Sequence, residues 1–385
     1  MKNKVTVIEM TPTFIRLLCG YTLNNNVYVL QALEGEDFTL EEGLPVVREA
    51  ADSLRLLIEN AKKTLNETDI GPFILALPPY RFAASESFST TATADTNSVL
   101  SLNDYKNCIN RAMKEKKTHD NTAIYCAPFR FSTDNNDALF QYPEQCLTNA
   151  FAIYADVHTI DSTYYKRCKE ILNKAQVEPY LEIVSTYGSS YFIDSFRPNM
   201  SHYLLLDLEK EYSYLSYVDS GRLKLSVPLK ENINNVLQVS SQTLHIPVKK
   251  VEELMQIYGF FSTPGFDYYM ENGLSLKDTS SCFMASFRPI AMEVQEMIQR
   301  YDISLEVPLI IYGAGAQIEE LSGLFMKLLS RNCSTFEPHI FGAQGGSYDN
   351  CLGAILLSSL PYQKTEDYRS KEYNEFHLHG SGFDR

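Results

Sequence analysis

The residues with the clearest chemical potential lie in a short turn inside residues 203–218, between the apolar segments YLLLDL and SYLSYV. Asp207 ends the first segment, and Glu209, Lys210 and Glu211 form the turn. Glycines in such a turn would let backbone N–H groups approach a phosphate, but this turn has none. Two like charges about 4 Å apart repel by roughly 4 kcal/mol at an effective dielectric constant near 20. The two glutamates therefore oppose a polyanion at this turn.

Another turn follows the apolar segment PLIIYG, where Gly313 and Gly315 bracket Ala314 ahead of a predicted helix. Small residues at a helix start permit close backbone approach and favour an anion. The sequence has no nucleophile elbow, no H-E-x-x-H, no P-loop and no C-x-x-C pair. It therefore predicts neither a catalytic residue nor a metal site.

Length, composition and charge narrow the class of protein. A chain of 385 residues exceeds the size at which one core keeps growing, so two lobes are expected, and 44% hydrophobic residues predict a folded protein. The net charge of −14, without a basic aromatic cluster, argues against a nucleic-acid partner. Eight scattered cysteines predict reduced thiols in the cytoplasm. We expect neither a secretory signal nor a membrane-spanning helix, because the apolar runs are short.

The same order of predicted elements occurs twice along the chain. Three β-rich segments precede a helix at 46–65 and a strand at 73–78, and three more precede a helix at 248–258 and a strand at 308–313. A repeated α/β lobe predicts that ligands bind in the crevice between the two copies.

Two insertions and a tail complete the predicted organisation. One insertion reads as a compact α+β unit, the other as mainly helical, and the tail has no apolar periodicity and is expected to be disordered. The predicted units are a first lobe at 1–83 and 177–197, an insertion subdomain at 84–176, a second lobe at 198–235 and 306–360, a helical insertion at 236–305, and a tail at 361–385.

With its elements in this order, the chain resembles bacterial FtsA, the actin-like protein that anchors the FtsZ division ring. The resemblance is clearest in AFAIYADVHTIDSTYYKRCKEILNKAQVEPYLEIVSTYGSSYFI and continues in VPLKEN, VEELMQIYG and PLIIYGAGAQIEELSGL. It covers about residues 5–360. It implies an actin-like (ribonuclease H-like) duplicated two-lobe α/β fold with an FtsA-type insertion subdomain.

The resemblance also implies a site for ATP and Mg²⁺ between the lobes, but its phosphate loops are eroded. Glu9 keeps an acidic position, whereas Thr11 replaces a glycine and Pro12 removes an N–H donor. Lys230 and Glu231 replace a glycine pair. We therefore expect weak ATP binding at most and no enzymatic activity beyond a weak ATPase. The residues expected to contact the nucleotide are Glu9, Thr11, Thr13, Arg16, Asp207, Lys210, Ser213, Glu252, Gly313, Ala314 and Gly315.

By this resemblance, the function is that of a cytoskeletal adaptor in cell division. It would bind the FtsZ C-terminal peptide and other division proteins, self-associate into filaments, and reach the inner face of the membrane through partners. Direct membrane binding is not expected, because the tail lacks an apolar stripe. The alternatives are a PilM-like component of a pilus or secretion platform and a small-molecule kinase of the actin and sugar-kinase superfamily. The residues expected to contact the FtsZ peptide are Lys249, Lys250, Arg288 and Arg300.

Overall fold

The computed structural model describes residues 4–259, 269, 273–343 and 346–360. The segment 361–385, predicted to be disordered, lies outside the described residues. Within the described ranges, no helix combines the length and apolar character needed to cross a bilayer.

Sixteen strands, nine α-helices and one 3₁₀ turn make up the described part of the chain. The strands are β1 Lys4–Met10, β2 Ile15–Leu23, β3 Asn26–Glu34, β4 Leu40–Glu41, β5 Leu44–Pro45, β6 Phe73–Leu77, β7 Ala83–Ala92, β8 Asn121–Thr133, β9 Asn136–Leu139, β10 Ala150–Asp161, β11 Pro179–Val184, β12 His202–Leu208, β13 Ser213–Asp219, β14 Arg222–Pro228, β15 Leu309–Tyr312 and β16 Cys333–Thr335. The helices are α1 Val47–Leu65, α2 Leu102–Lys116, α3 Ser162–Ala175, α4 Ser185–Phe196, α5 Ile233–Leu244, α6 Val248–Tyr258, α7 Leu276–Arg300, α8 Leu321–Leu329 and α9 Asp349–Ser358, and the 3₁₀ turn is Gly313–Gln317.

Two five-stranded sheets share one topology. The first has the order β11-β6-β1-β2-β3, and the second has the order β14-β13-β12-β15-β16. In each, the central strand pairs antiparallel with the following strand and parallel with a later one. β1 and β12 are buried along nearly their whole length, as expected for strands covered on both faces. The repeat predicted from the sequence is therefore present.

The helix predicted at 46–65 is confirmed as α1. Its buried residues, among them Ala50, Leu54 and Ala61, recur at helical spacing on one face. Asn66 ends the helix with a φ of 53°, a left-handed conformation that asparagine tolerates, and its N–H donates to the Lys62 and Lys63 carbonyls.

A third sheet, with the order β7-β10-β8-β9, lies within residues 83–161 and packs against α2. β7 occupies the Ser/Thr-rich run that the sequence did not identify as a strand. Its alternating residues explain this, because Ser87 and Ser89 are buried whereas Phe88 is exposed. The usual strand pattern of buried apolar and exposed polar residues is reversed here.

Arg222 on β14 joins this third sheet to the second. Its Nε and Nη2 donate to the two carboxylate oxygens of Asp156 on β10, each at 2.7 Å, and Nη2 also donates to Glu86 at 2.6 Å. The guanidinium carbon lies 3.6 Å from the centre of the Phe129 ring. A bidentate pair stacked on an aromatic ring fixes both distance and orientation.

Two helices fill the space between the five-stranded sheets, which corrects the assignment of 349–358 to the second lobe. α9 contacts β1, β2, β3 and β6 of the first sheet and crosses α4. α4 in turn donates from Ser189 Oγ to Tyr312 Oη of the second sheet at 3.0 Å. At the crossing, a Cβ on Gly353 would collide with the Gly188 carbonyl, so the two backbones touch. Chain order alone misassigned α9, because the chain returns to the first sheet at its end.

Candidate functional site

A cavity of about 620 Å³ opens between the two five-stranded sheets. Its apolar lining residues include Ile233, Leu237, Met255 and Ile318, and much of the remaining lining is acidic. Its acidic residues are Glu34, Glu36, Asp37, Glu209, Glu211 and Glu252, and the cations among the described lining residues are Arg16 and Lys210. Six carboxylates against two cations give the cavity a negative field.

Both of these cations are already paired within the protein. Lys210 Nζ lies 2.6 Å from Glu252 Oε1 on α6. Arg16 Nε donates to Glu34 at 2.9 Å, and Arg16 Nη2 donates to Glu209 at 3.2 Å. Neither charge is therefore available to an incoming anion without breaking a pair.

A cluster of buried carboxyl groups extends from Glu209, which lines the cavity, into the protein interior. Glu9 is the penultimate residue of β1, Asp207 is on β12, Glu209 follows β12, and Asp349 begins α9. All four are almost fully buried. Burial raises the pKa of Asp349, and the charges of Asp207, Glu209 and Glu9 raise it further. The same cause, burial, raises the pKa of Glu9, although Arg16 opposes that rise. The cluster holds more acid than its one guanidinium can neutralise.

Asp207 is the least compensated member of this cluster. Burial raises the pKa of its carboxyl well above the usual range, and Glu209 and Glu9 add to the rise. Neither carboxylate oxygen makes a hydrogen bond of normal geometry among the described residues, although Asn350 and Tyr312 lie close enough to interact with the carboxylate. An uncompensated buried acid costs folding free energy.

Replacing this acid with its amide, Asp207→Asn, is expected to stabilise the protein at pH 8 by about 1 kcal/mol or more, since one pKa unit is worth about 1.4 kcal/mol. Because folding raises the pKa of this carboxyl, its contribution to protein stability is lost as pH rises through that pKa. The stability gained in Asp207→Asn should therefore be smaller at pH 4.5 than at pH 8. Urea titrations at the two pH values measure the difference. Asp219→Asn, at the half-exposed end of β13, is the control with little expected effect. A less stable Asp207→Asn at pH 8 would refute the assigned cost.

The first turn, between β1 and β2, uses its own backbone donors. Thr11 N–H donates to the Phe14 carbonyl at 3.0 Å. Thr11 Oγ1 accepts from the N–H groups of Thr13 at 3.4 Å and Phe14 at 3.0 Å. Pro12 has no N–H. The four residues therefore present no spare amide to a phosphate.

In the second turn, residues 209–212 between β12 and β13, backbone carbonyls cap a helix. The Glu209 and Lys210 carbonyls accept from the N–H groups of Ile233 and Asn234 at the start of α5. Just before that helix, the N–H groups of Lys230 and Glu231 donate to the Glu293 carboxylate on α7 at 2.9 and 3.2 Å. A carboxylate of the protein itself thus occupies the donors that follow β14.

In the third turn, which follows β15, Gly313 and Gly315 are required by close packing. Gly313 has a φ of 78°, and a Cβ there would lie 2.9 Å from a Glu209 carboxylate oxygen and 3.0 Å from an Asp207 one. A Cβ on Gly315 would lie 2.7 Å from the Leu208 side chain. Both glycines are needed because the second turn presses against them, and Ala314 alone of the three lines the cavity.

The structure brings most of the predicted nucleotide residues to this region. Arg16, Lys210, Glu252 and Ala314 line the cavity, whereas Glu9 and Asp207 lie behind it. Thr13 and Ser213 do not line the cavity, and their hydroxyls have no hydrogen-bond partner among the described residues. No group of three or more metal-ligating side chains within the described ranges is arranged to hold a metal ion.

The predicted peptide-binding cations are not among the residues that line the cavity. Lys249 and Lys250 are exposed near the start of α6, and Lys250 pairs with Glu253 at 3.1 Å. Arg288 and Arg300 are exposed on α7, about 18 Å apart along the axis at 1.5 Å per residue. Their role in binding remains a prediction.

Several important residues were missed from the sequence. Glu293 and Tyr212 gave no signal, because their roles depend on elements distant in the chain. Asp349 offered one, since it starts an apolar helix directly after a glycine-rich turn.

Comparisons with solved structures agree on the architecture. PilM in a structure of the "PilM-PilN type IV pilus biogenesis complex" superposes with a TM-score of 0.59 at 13% identity, covering 94% of this chain and 99% of that one. MreB5 of Spiroplasma citri bound to ADP superposes with a TM-score of 0.53 at 10% identity, covering 97% of this chain and 98% of that one. EutJ of Carboxydothermus hydrogenoformans superposes with a TM-score of 0.51 at 11% identity, covering 92% of this chain and 89% of that one.

This chain has the actin-like fold. The predicted fold class is confirmed, with its duplicated lobes and crevice. No family model matches the chain, and no curated protein sequence matches it. At identities of 10 to 13% the similarity is one of fold, and function must be argued from this chain's residues.

The actin-like fold implies ATP and Mg²⁺ in the crevice, and the residues present do not fit a triphosphate. The amides of the first turn are used internally, the donors after β14 hold Glu293, and both lining cations are paired. The lining carboxylates repel phosphate oxygens. The apolar lining residues would accept a base, but the amides of the first turn and those after β14 are already engaged, and the charged lining residues are mostly acidic.

Proposed function

We propose that this protein is a noncatalytic actin-fold scaffold that works by binding protein partners. The observation that carries the proposal is the self-satisfied phosphate end of the crevice, where amides and cations already contact the protein's own oxygen atoms. An actin-like frame that does not turn over nucleotide still offers two lobes, an insertion subdomain and a helical insertion as binding surfaces. The same arrangement disfavours a small-molecule kinase, which needs a phosphate cradle.

Isothermal calorimetry with MgATP and MgADP tests the catalytic half of the proposal. We expect no saturable heat up to about 1 mM, because repulsion of roughly 4 kcal/mol removes about three decades of affinity. A phosphate-release assay should give only background. An actin-like ATPase with intact phosphate glycines, measured in the same buffer, is the positive control. Micromolar binding or turnover matching that control would overturn the proposal.

The partner is proposed to be the FtsZ C-terminal peptide, held by the helical insertion through Lys249, Lys250, Arg288 and Arg300. Their exposure and positive charge suit an acidic peptide. Self-association and recruitment to the inner membrane face belong to the same proposal. A second candidate is a pilus-platform component, which is supported by the fold that this chain shares with PilM over 94% of its length.

A pull-down with full-length and tail-less FtsZ separates the two candidates. Capture that needs the FtsZ tail and falls in a variant with all four cations changed to Ser supports the adaptor. A matched variant, with Lys62 and Lys63 of α1 changed to Ser, should retain binding. Indifference to FtsZ favours the pilus-type role.

A further inference from the structure

We infer that Arg16 takes the place of a bound nucleotide as the link that holds the two lobes together. A ligand in a crevice closes two lobes by contacting both. Here a side chain of the protein makes those contacts. This inference rests on the proposed absence of a nucleotide from the crevice.

The geometry spans the two sheets. Arg16 lies on β2 of the first sheet, yet Nη2 donates to Glu209 and Nη1 donates to Tyr212 Oη, each at 3.2 Å. Both acceptors belong to the turn after β12 of the second sheet. On its own sheet the guanidinium contacts Glu34 at 2.9 Å and Glu9 at 3.7 Å. One planar cation therefore ties three carboxylates and a phenol from two lobes.

Burial makes this link strong. Arg16 and Glu209 are 2% and 3% exposed, so solvent and salt screen their attraction little. Guanidinium does not lose its proton in proteins, so the link persists across the physiological pH range. Phe14 of the first turn packs with Tyr212 and Tyr214 of the second lobe, which adds an apolar contact across the same seam.

The charge count explains why an arginine is needed there. Glu9, Asp207, Glu209 and Asp349 meet at the seam. Arg16 pairs with Glu209, and its charge opposes the raised pKa of Glu9, Asp207 and Asp349. Without it, carboxylates from opposite lobes would repel each other across a low-dielectric gap. The link thus replaces the counter-charge that a bound cation would otherwise supply.

Distances between spin labels on the two lobes test the inference in the full chain. Lys63→Cys on α1 and Lys327→Cys on α8 are exposed attachment sites, in a Cys146→Ser background because the other seven native cysteines are buried. We expect one narrow distance distribution that MgATP does not change. Arg16→Met should shift it to longer distances and broaden it. Arg81→Met, which removes an exposed arginine, is the matched control and should leave it unchanged.

The outcomes are distinguishable. An unchanged distribution in Arg16→Met would overturn the inference while leaving the proposed function intact. A shift of the unsubstituted protein on adding MgATP would overturn the proposed absence of nucleotide, and the inference with it. If Arg16→Met does not fold, Tyr212→Phe removes one of the two bonds across the seam and should broaden the distribution less. An unchanged distribution in that folded variant would also count against the link.

Discussion

Replacing Arg222 with alanine is expected to lower the free energy of unfolding by about 3 kcal/mol, which is the low end of the cost of breaking a buried pair. The substitution leaves the Asp156 carboxylate 1% exposed and without its bidentate donor. Lys224 Nζ lies 3.5 Å from Asp156 and still compensates part of its charge. We therefore expect a loss at the low end of the range. The Phe129 ring also loses the guanidinium stacked on it.

Urea denaturation followed by circular dichroism measures this loss, and hydrogen exchange should show faster exchange in β7 and β10. Arg222→Lys should recover only part of the lost stability, because an ammonium group can neither pair bidentately with Asp156 nor stack on the Phe129 ring. Arg48→Ala is the control, since Arg48 is exposed and lies 3.9 Å from Asp52, and we expect a loss under about 1 kcal/mol. Equal losses in Arg222→Ala and Arg48→Ala would show that the third sheet does not depend on this pair.

Acid should destabilise the protein through His158, by about 3 kcal/mol between pH 6.5 and pH 4. His158 on β10 lies among the rings of Phe82, Tyr125 and Tyr187, and neither ring nitrogen has a hydrogen-bond partner among the described residues. Burial lowers the pKa of His158 to about 4, against the partial opposition of Asp156. Because folding lowers this pKa, its contribution is complete above about pH 6.5 and is lost as pH falls.

The His158→Phe variant removes the titration and keeps an aromatic ring in the pocket. Unfolding free energies at several pH values should show a shallower decline below pH 6.5 than in the unsubstituted protein. His119→Gln, at a fully exposed site, is the control and should follow the unsubstituted protein. Parallel pH curves for His158→Phe and the unsubstituted protein would contradict a buried neutral imidazole.

The architecture could be predicted well from the sequence because apolar residues recur at regular spacing along it. The three apolar segments before each helix and the spacing in α1 predict central strands and an amphipathic helix, and the structure has both. β7 escaped because its buried residues are serines, and α9 was assigned to the wrong lobe because chain order does not reveal a return to the first sheet.

The site was only half accessible from the sequence. The missing glycines and the acidic turn were visible, and Glu209 and Glu211 do line the crevice. The contacts that Arg16 makes with the second lobe could not be predicted, because Glu209 and Tyr212 are 193 and 196 residues away from it in the sequence. The family pattern suggested a nucleotide contact for Arg16, whereas the structure gives its donors to the protein's own oxygens.

The crossing of α4 and α9 leaves no room for a side chain at Gly188 or Gly353. A Cβ on Gly188 would lie 2.5 Å from the Asn350 carbonyl oxygen, and one on Gly353 would overlap the Gly188 carbonyl. α9 rests on the first sheet, and α4 donates a hydrogen bond to the second. Even a single methyl group added at either glycine would therefore act as a wedge that pushes the two helices, and with them the two sheets, apart.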